Sequence, residues 1–204
     1  MATRSNALSE IARFWLQECY GFFLRESVPV KLKHNNSDID FIVTSPAGRP
    51  CKPLLGFIQF ENAIVETKDE RDFDKYGTDI AKRLCEDYEQ LNGNRMITSE
   101  AQCRFSMLKE QHHKEAENIF GQSADFSKIF IFHNLNRNGL KDKLDELRDR
   151  NIHFVTSSEM LLDIYKFLKE SRNGAGVRNS LVGDILDMLI TYHEWEPCKT
   201  KFRE

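Results

Sequence analysis

The amino-acid sequence predicts an α/β fold, a mixed β-sheet flanked by helices. A helical pattern opens the chain, three strand-like runs follow one another closely, and short apolar runs then alternate with helical patterns. Strands in immediate succession pair as an antiparallel meander. Strands separated by helices need crossovers and pair in parallel, so one sheet would hold both kinds.

The first helix is expected over Ala7–Leu24, where Leu8, Ile11, Phe14, Trp15 and Phe22 recur at helical spacing and Ser5 or Asn6 can cap the start. Val28–Leu32 alternates apolar and polar residues, and Ile39–Val43 is strand-like up to the turn-rich Ser45-Pro46-Ala47-Gly48-Arg49-Pro50. A further β-prone run spans Leu54–Thr67, with a turn signal at Glu61-Asn62. Helices are expected over Thr78–Leu91, stopped by Asn92-Gly93, and over Ser99–Phe120, with Phe105, Leu108, Ala116 and Ile119 inward. Ile129–His133 reads as a buried strand, Leu140–Arg150 as a helix, Ile152–Thr156 as a strand and Ser158–Glu170 as a helix. The loop Arg172–Gly176 precedes a last, very apolar helix from about Val177 to His193.

With 204 residues and no long flexible linker or internal repeat, the chain reads as a single domain over 1–204. An aromatic content of 11% excludes wholesale disorder. No run approaches the roughly 18 apolar residues that span a bilayer, and Met1–Asn6 is polar, so the expectation is a soluble, cytoplasmic protein with no membrane partner. Five scattered cysteines without a C-x-x-C pair read as reduced thiols. A net charge of −3 argues against coating nucleic acid by bulk charge and leaves room for a local basic groove.

Two stretches place charge where a core strand should carry none: Ser37-Asp38-Ile39-Asp40-Phe41-Ile42-Val43 and Ala63-Ile64-Val65-Glu66-Thr67-Lys68. Residues two apart on a strand share a face, so Asp38 and Asp40 are expected to point together, with Ile39 and Phe41 turned into the core. Glu66 and Lys68 share a face in the same way, opposite Val65 and Thr67. If the strands are neighbours, carboxylates and one ammonium converge on a patch. Clustered carboxylates repel one another unless a cation neutralises them, and Mg²⁺ suits an all-oxygen site that leaves waters for a phosphate substrate. Such a metal can activate water against a phosphodiester, with Lys68 placed to position that water or offset developing negative charge.

These residues resemble the PD-(D/E)XK, or restriction-endonuclease-like, nuclease superfamily. The resemblance implies an αβββαβ core with an acidic residue on the second core strand, matched by Asp40 in Asp38-Ile39-Asp40-Phe41, and (D/E)-x-K on the third, matched by Glu66 and Lys68. Many members, including archaeal Holliday-junction-resolvase-like ones, carry a glutamate on the first helix eleven residues before a Gly-aromatic pair. Glu10 stands at that interval from Gly21-Phe22. The motifs cover about residues 7–91, and the remaining strands and helices lie within 99–193. In departure from the family pattern, Ser37 precedes Asp38 where a proline would stand, and no Q-x-x-x-Y follows Lys68.

The resemblance implies a metal-dependent endonuclease acting on DNA. Asp40, Glu66, Lys68 and Glu10 would be its catalytic residues, Asp40 and Glu66 its metal ligands with Asp38 as an additional one, Mg²⁺ its cofactor, and Mn²⁺ a substitute. Between Arg25 and Lys52 five basic residues face three acidic ones, and Lys31, Lys33, Arg49 and Lys52 are the candidate phosphate contacts. The readings kept beside this one are an RNA-cleaving nuclease of the same chemistry and a non-catalytic nucleic-acid-binding or assembly module with a nuclease-like fold. Cutting both strands of a duplex favours two active sites, which by analogy is in keeping with a homodimer.

Overall fold

The computed structural model describes residues 7–32, 36–46, 52–68, 105–133, 135, 141–171, 183–186 and 188. The expected helix over 78–91, the loop over 172–176 and most of the last expected helix lie outside these. Residues 183–186 and 188 are helical.

Five strands form one sheet in the order β1-β2-β3-β4-β5: β1 (Phe23–Lys31), β2 (Asn36–Thr44), β3 (Asn62–Lys68), β4 (Ser127–Phe132) and β5 (Ile152–Thr156). The first three are antiparallel and the last three parallel, as connection length dictates. Among the described residues the sheet is covered by α1 (Ala7–Phe14), α2 (Glu110–Phe120), α3 (Lys141–Arg148) and α4 (Ser157–Ser171). Two separate cores follow. Ala116 of α2 and Leu144 and Leu147 of α3 pack with Ile64, Phe130 and Phe132 on one face. Leu8 and Ala12 of α1 and Met160, Ile164 and Leu168 of α4 pack with Val65, Ile129 and Ile131 on the other. The protein is therefore an α/β structure with a mixed sheet between helical layers. Among the described residues no helix is long and apolar enough to cross a membrane.

Several boundaries differ from the sequence expectation, each for a local reason. The first helix ends well before Leu24. It passes into a π turn at Trp15–Cys19, and Gly21 at φ +74° turns the chain into β1 while its N–H and that of Phe22 close onto the carbonyls of Gln17 and Leu16. The β-prone run from Leu54 yields a strand only from Asn62. Leu54 and Ile58 instead clasp each other through reciprocal backbone hydrogen bonds of 2.8 and 3.0 Å, with Leu55 and Gly56 both at positive φ between them. The helix expected from Ser99 has, in its described part, an extended Phe105, a 3₁₀ turn at Ser106–Leu108 and an extended Lys109 before α2 begins. At the other end α4 starts with a capping box: Thr156 N–H donates to Glu159 Oε2 at 2.8 Å while the Glu159 N–H donates to Thr156 Oγ1.

The correction that bears most on function lies in β2. Ile39 and Phe41 do not point into one core. Ile39 packs with Ile42, Val28 and Val30 toward α2, while Phe41 packs with Val43 toward α1. Strict alternation would unite 39, 41 and 43, so the pattern breaks at Asp40. Opposite it stands Ser27, at φ +50°, flanked by the pairs Glu26–Phe41 and Val28–Ile39. The break falls where Ser27 and Asp40 stand opposite each other, so residue parity carries the faces of Asp38 and Ile39 no further than Asp40.

Candidate active site

The candidate site forms where β2 and β3 separate. Their ladder runs from Thr44–Asn62 to Phe41–Val65 and ends there. One step further, the Thr67 N–H donates to Asp40 Oδ2 at 2.6 Å, and the Thr67 hydroxyl donates to the same oxygen at 2.8 Å. A side-chain carboxylate thus takes the amide that a continuing β2 backbone would have taken. On the α1 side, Ser9 Oγ lies 2.7 Å from Thr67 Oγ1.

Glu66 lies on the opposite face of β3 from Thr67 and is 5% exposed. The Met107 N–H donates to its Oε2 and the Ser106 hydroxyl to its Oε1, both at 3.3 Å, and the Lys68 ammonium rests on Oε1. Here lies the physical reason for the 3₁₀ turn: a buried carboxylate captures an amide that a continuous helix would have bonded within itself. Burial is the main cause that holds the Asp40 carboxyl above the ordinary aspartate range, and the Glu66 charge adds to it. The Thr67 hydrogen bonds and Lys68 pull the other way.

Glu66 and Lys68 are in contact, and Asp40 stands close enough to feel both charges; the surroundings of the other candidates differ from one to the next. Asp38 is exposed, paired in register with Pro29. Glu10 forms an ion pair with Arg13 at 2.6 Å on the half-exposed side of α1, and Arg13 in turn reaches Glu26 at 3.8 Å. Lys31 and Lys52 are exposed, one at the end of β1 and the other in the loop after β2, whereas Lys33 and Arg49 lie outside the described residues. The residues that sequence reasoning missed are Ser9, Thr67, Ser106 and Met107. Thr67 is signalled only by standing between Glu66 and Lys68, and Ser9 only by adjacency to Glu10. Nothing in the sequence marks Ser106 and Met107, which arrive by tertiary packing.

His112 of α2 borders the same face of the sheet. It is fully buried, with Nε2 3.1 Å from Ser37 Oγ, and burial, then Lys109, Lys128 and Lys68, lower its pKa to about 4. At neutral pH it is an uncharged brace between β2 and α2.

Two carboxylates and one ammonium leave a net negative charge in a mostly buried place. Both anionic groups are hard oxygen donors, which suits Mg²⁺ or Mn²⁺, and Mg²⁺ is commonly held by one or two carboxylates plus substrate phosphate. Asp40 Oδ1 accepts no hydrogen bond among the described residues. Among those residues no group of three or more His, Cys, Asp or Glu side chains is placed to hold a metal ion. The donor set therefore fits a cation completed by water or substrate, and does not form an all-protein cage. No family model, curated protein or solved structure matches the chain.

Proposed function

We propose that this protein is a metal-dependent nuclease of the restriction-endonuclease-like kind, an endonuclease that hydrolyses phosphodiester bonds of DNA. The observation that carries the reading is the Glu66–Lys68 pair on β3 with Asp40, bound to the intervening Thr67 and within reach of both charges, where two sheet strands part. The order α1-β1-β2-β3-α2-β4 supports it, since it runs in step with the αβββαβ core that the sequence resemblance implies.

Asp40 and Glu66 would hold a divalent cation between them. When bound, that cation supplies a polarised water and neutralises charge building on the phosphate oxygens. Glu66 is fixed by Met107 and Ser106, so its carboxylate is oriented before substrate arrives. Lys68 is less deeply buried than Glu66. Its flexible stem lets the ammonium leave Oε1 and meet the phosphate, where it offsets negative charge in the transition state.

The test is cleavage of supercoiled plasmid, branched DNA and single-stranded RNA in parallel with Mg²⁺, Mn²⁺ or EDTA, for wild type, Asp40→Asn and Lys68→Ala. Metal-dependent DNA cutting that both variants lose is the expected result. Cutting confined to RNA moves the substrate and keeps the chemistry. A folded wild type that binds no metal and cuts nothing overturns the reading in favour of a non-catalytic module.

A further inference from the structure

The hydrogen bonds around Asp40 have a direction. Thr67 Oγ1 has one proton, and it is donated to Asp40 Oδ2 at 2.8 Å. The contact of 2.7 Å between Ser9 Oγ and Thr67 Oγ1 must therefore have Ser9 as donor, because Thr67 has only lone pairs left to offer there. A chain of hydroxyls runs from α1 through β3 to β2, each bond polarising the next. Oδ2 also takes the Thr67 N–H at 2.6 Å, so both of its in-plane lone pairs are occupied. Oδ1 is the oxygen left to face a cation.

We propose that Ser9 and Thr67 are positioning residues that make Asp40 a one-oxygen ligand and thereby set the preference of the site for small octahedral cations over calcium. This rests on the reading that Asp40 binds the metal. The selectivity follows from coordination chemistry. Mg²⁺ demands octahedral geometry at about 2.0–2.1 Å, whereas Ca²⁺ takes about six to eight oxygens at longer distance and readily uses both oxygens of one carboxylate. A carboxylate whose second oxygen is saturated by two short hydrogen bonds cannot turn to the two-oxygen mode without breaking them. The Asp40 backbone is held in β2 between the pairs Val28–Ile39 and Glu26–Phe41, but nothing in β2 itself turns its carboxylate. The β2–β3 ladder has ended at Phe41–Val65, and on the β1 side the strand turns over opposite Ser27. The carboxylate is turned by Thr67, whose backbone is held by pairing with Ile131 and whose hydroxyl is met by Ser9. The first helix contributes Ser9 to this network, next to Glu10, which pairs with Arg13.

The experiment is calorimetric titration of the full chain with Mn²⁺ and with Ca²⁺, for wild type, Thr67→Val, Thr67→Ser, Ser9→Ala and Asp40→Asn. Thr67→Val keeps the shape and the backbone N–H while removing the hydroxyl. It is expected to weaken Mn²⁺ about tenfold, at the low end of what loss of a ligand-supporting hydrogen bond costs, and to leave Ca²⁺ unchanged or tighter. Ser9→Ala, whose side chain is only part-buried, should move the ratio in the same direction by about threefold, and Thr67→Ser should restore the wild-type ratio. An unchanged Mn²⁺-to-Ca²⁺ ratio in Thr67→Val and Ser9→Ala, with Mn²⁺ binding still lost in Asp40→Asn, overturns the positioning role alone. Equal losses in Thr67→Val and Thr67→Ser also overturn it, because the methyl group and not the hydroxyl would then matter. If wild type binds no Mn²⁺, or binds it equally well with Asn at position 40, the metal reading fails and this inference with it.

Discussion

The ammonium of Lys68 lies against Oε1 of Glu66, two residues away on the same face of β3, so the site carries its own counter-ion. A divalent cation arriving at Glu66 has to compete with that ammonium, since both seek the same oxygen. Lys68→Ala is therefore expected to bind Mn²⁺ at least as tightly as wild type while its cleavage rate falls by about 10²–10³, the usual cost of losing one electrostatic contact to a developing oxyanion. Calorimetry and initial rates on plasmid DNA measure the two effects separately. A variant that binds Mn²⁺ much more weakly would show that Lys68 supports the cation site and does not compete for it.

Asp40 and Glu66 hold like charges close together in a place shielded from water, and Glu66 raises the pKa of Asp40. A bound cation relieves this strain only in the folded state, so it should raise stability. At a Mn²⁺ concentration a hundred times its dissociation constant the gain is about 2.7 kcal/mol. For a chain of this size that corresponds to roughly 5–10 °C in Tm. Thermal melts in Mn²⁺ and in EDTA should show this gain in wild type and none in Asp40→Asn. A Mn²⁺ gain that persists in Asp40→Asn would place the cation elsewhere.

What the sequence disclosed and what it concealed divide along local and tertiary causes. The strand Ile152–Thr156 sits where its apolar run marks it, and the two-residue spacing of Glu66 and Lys68 puts them together, because both depend only on strand periodicity. The reversal at Asp40 was hidden, since it depends on a positive φ at Ser27 in the neighbouring strand. The turn at Ser106–Leu108 stands in a run whose spacing predicts helix, and it departs from that because the amide of Met107 is claimed by a carboxylate forty-one residues earlier. Glu10 has the interval of a site residue, and its carboxylate pairs with Arg13 one turn on. An interval alone does not say which way a helix is rolled.

His153 is the second residue of β5, two strands away from Glu66, and lines a cavity of about 410 Å³ with Phe57, Leu144, Arg148 and Phe154. It is 8% exposed, and neither ring nitrogen has a hydrogen-bond partner among the described residues. Burial, with Arg148 adding to it, lowers its pKa from 6.5 to about 4. The unfolded chain therefore binds a proton between about pH 6.5 and 4 that the folded chain refuses. Stability contributed here is present above pH 6.5 and is lost as pH falls through that window. Replacing the ring by phenyl removes both the titration and two unsatisfied polar atoms, each of which costs about 1–3 kcal/mol when buried. His153→Phe is expected to be more stable than wild type at pH 7 by about 1–2 kcal/mol, and by more at pH 5. Urea denaturation at the two pH values measures this. A variant that is less stable at both would mean that His153 has a polar partner.

The last brace lies between the π turn and α4. Asp163 Oδ2 accepts the Trp15 indole N–H at 2.9 Å and also the Tyr20 hydroxyl proton, while that hydroxyl accepts the Leu55 N–H at 3.0 Å. One carboxylate thus ties the end of the first helix, the clasp at Leu54–Ile58 and α4 into a unit. Burial first, and then the bond to Asp163, push the Tyr20 phenol well above the ordinary tyrosine range, so it keeps its proton and its donor role at any working pH. Asp163→Ala strands a fully buried indole N–H and leaves the Tyr20 hydroxyl without its acceptor. Each orphaned group costs about 1–3 kcal/mol, and the pair, sharing one acceptor, about 3 kcal/mol together. In a chain of this size the expected fall in Tm is roughly 6–12 °C. Trp15 fluorescence should shift as the indole loses its partner, whereas Mn²⁺ affinity at Asp40 and Glu66 should stay within about twofold, because β3 and its Thr67 bonds are untouched. A melt unchanged within 1 °C would show that Asp163 is a surface acceptor of no structural weight. A collapse of Mn²⁺ binding would show that the position of α1, and with it Ser9, depends on this brace.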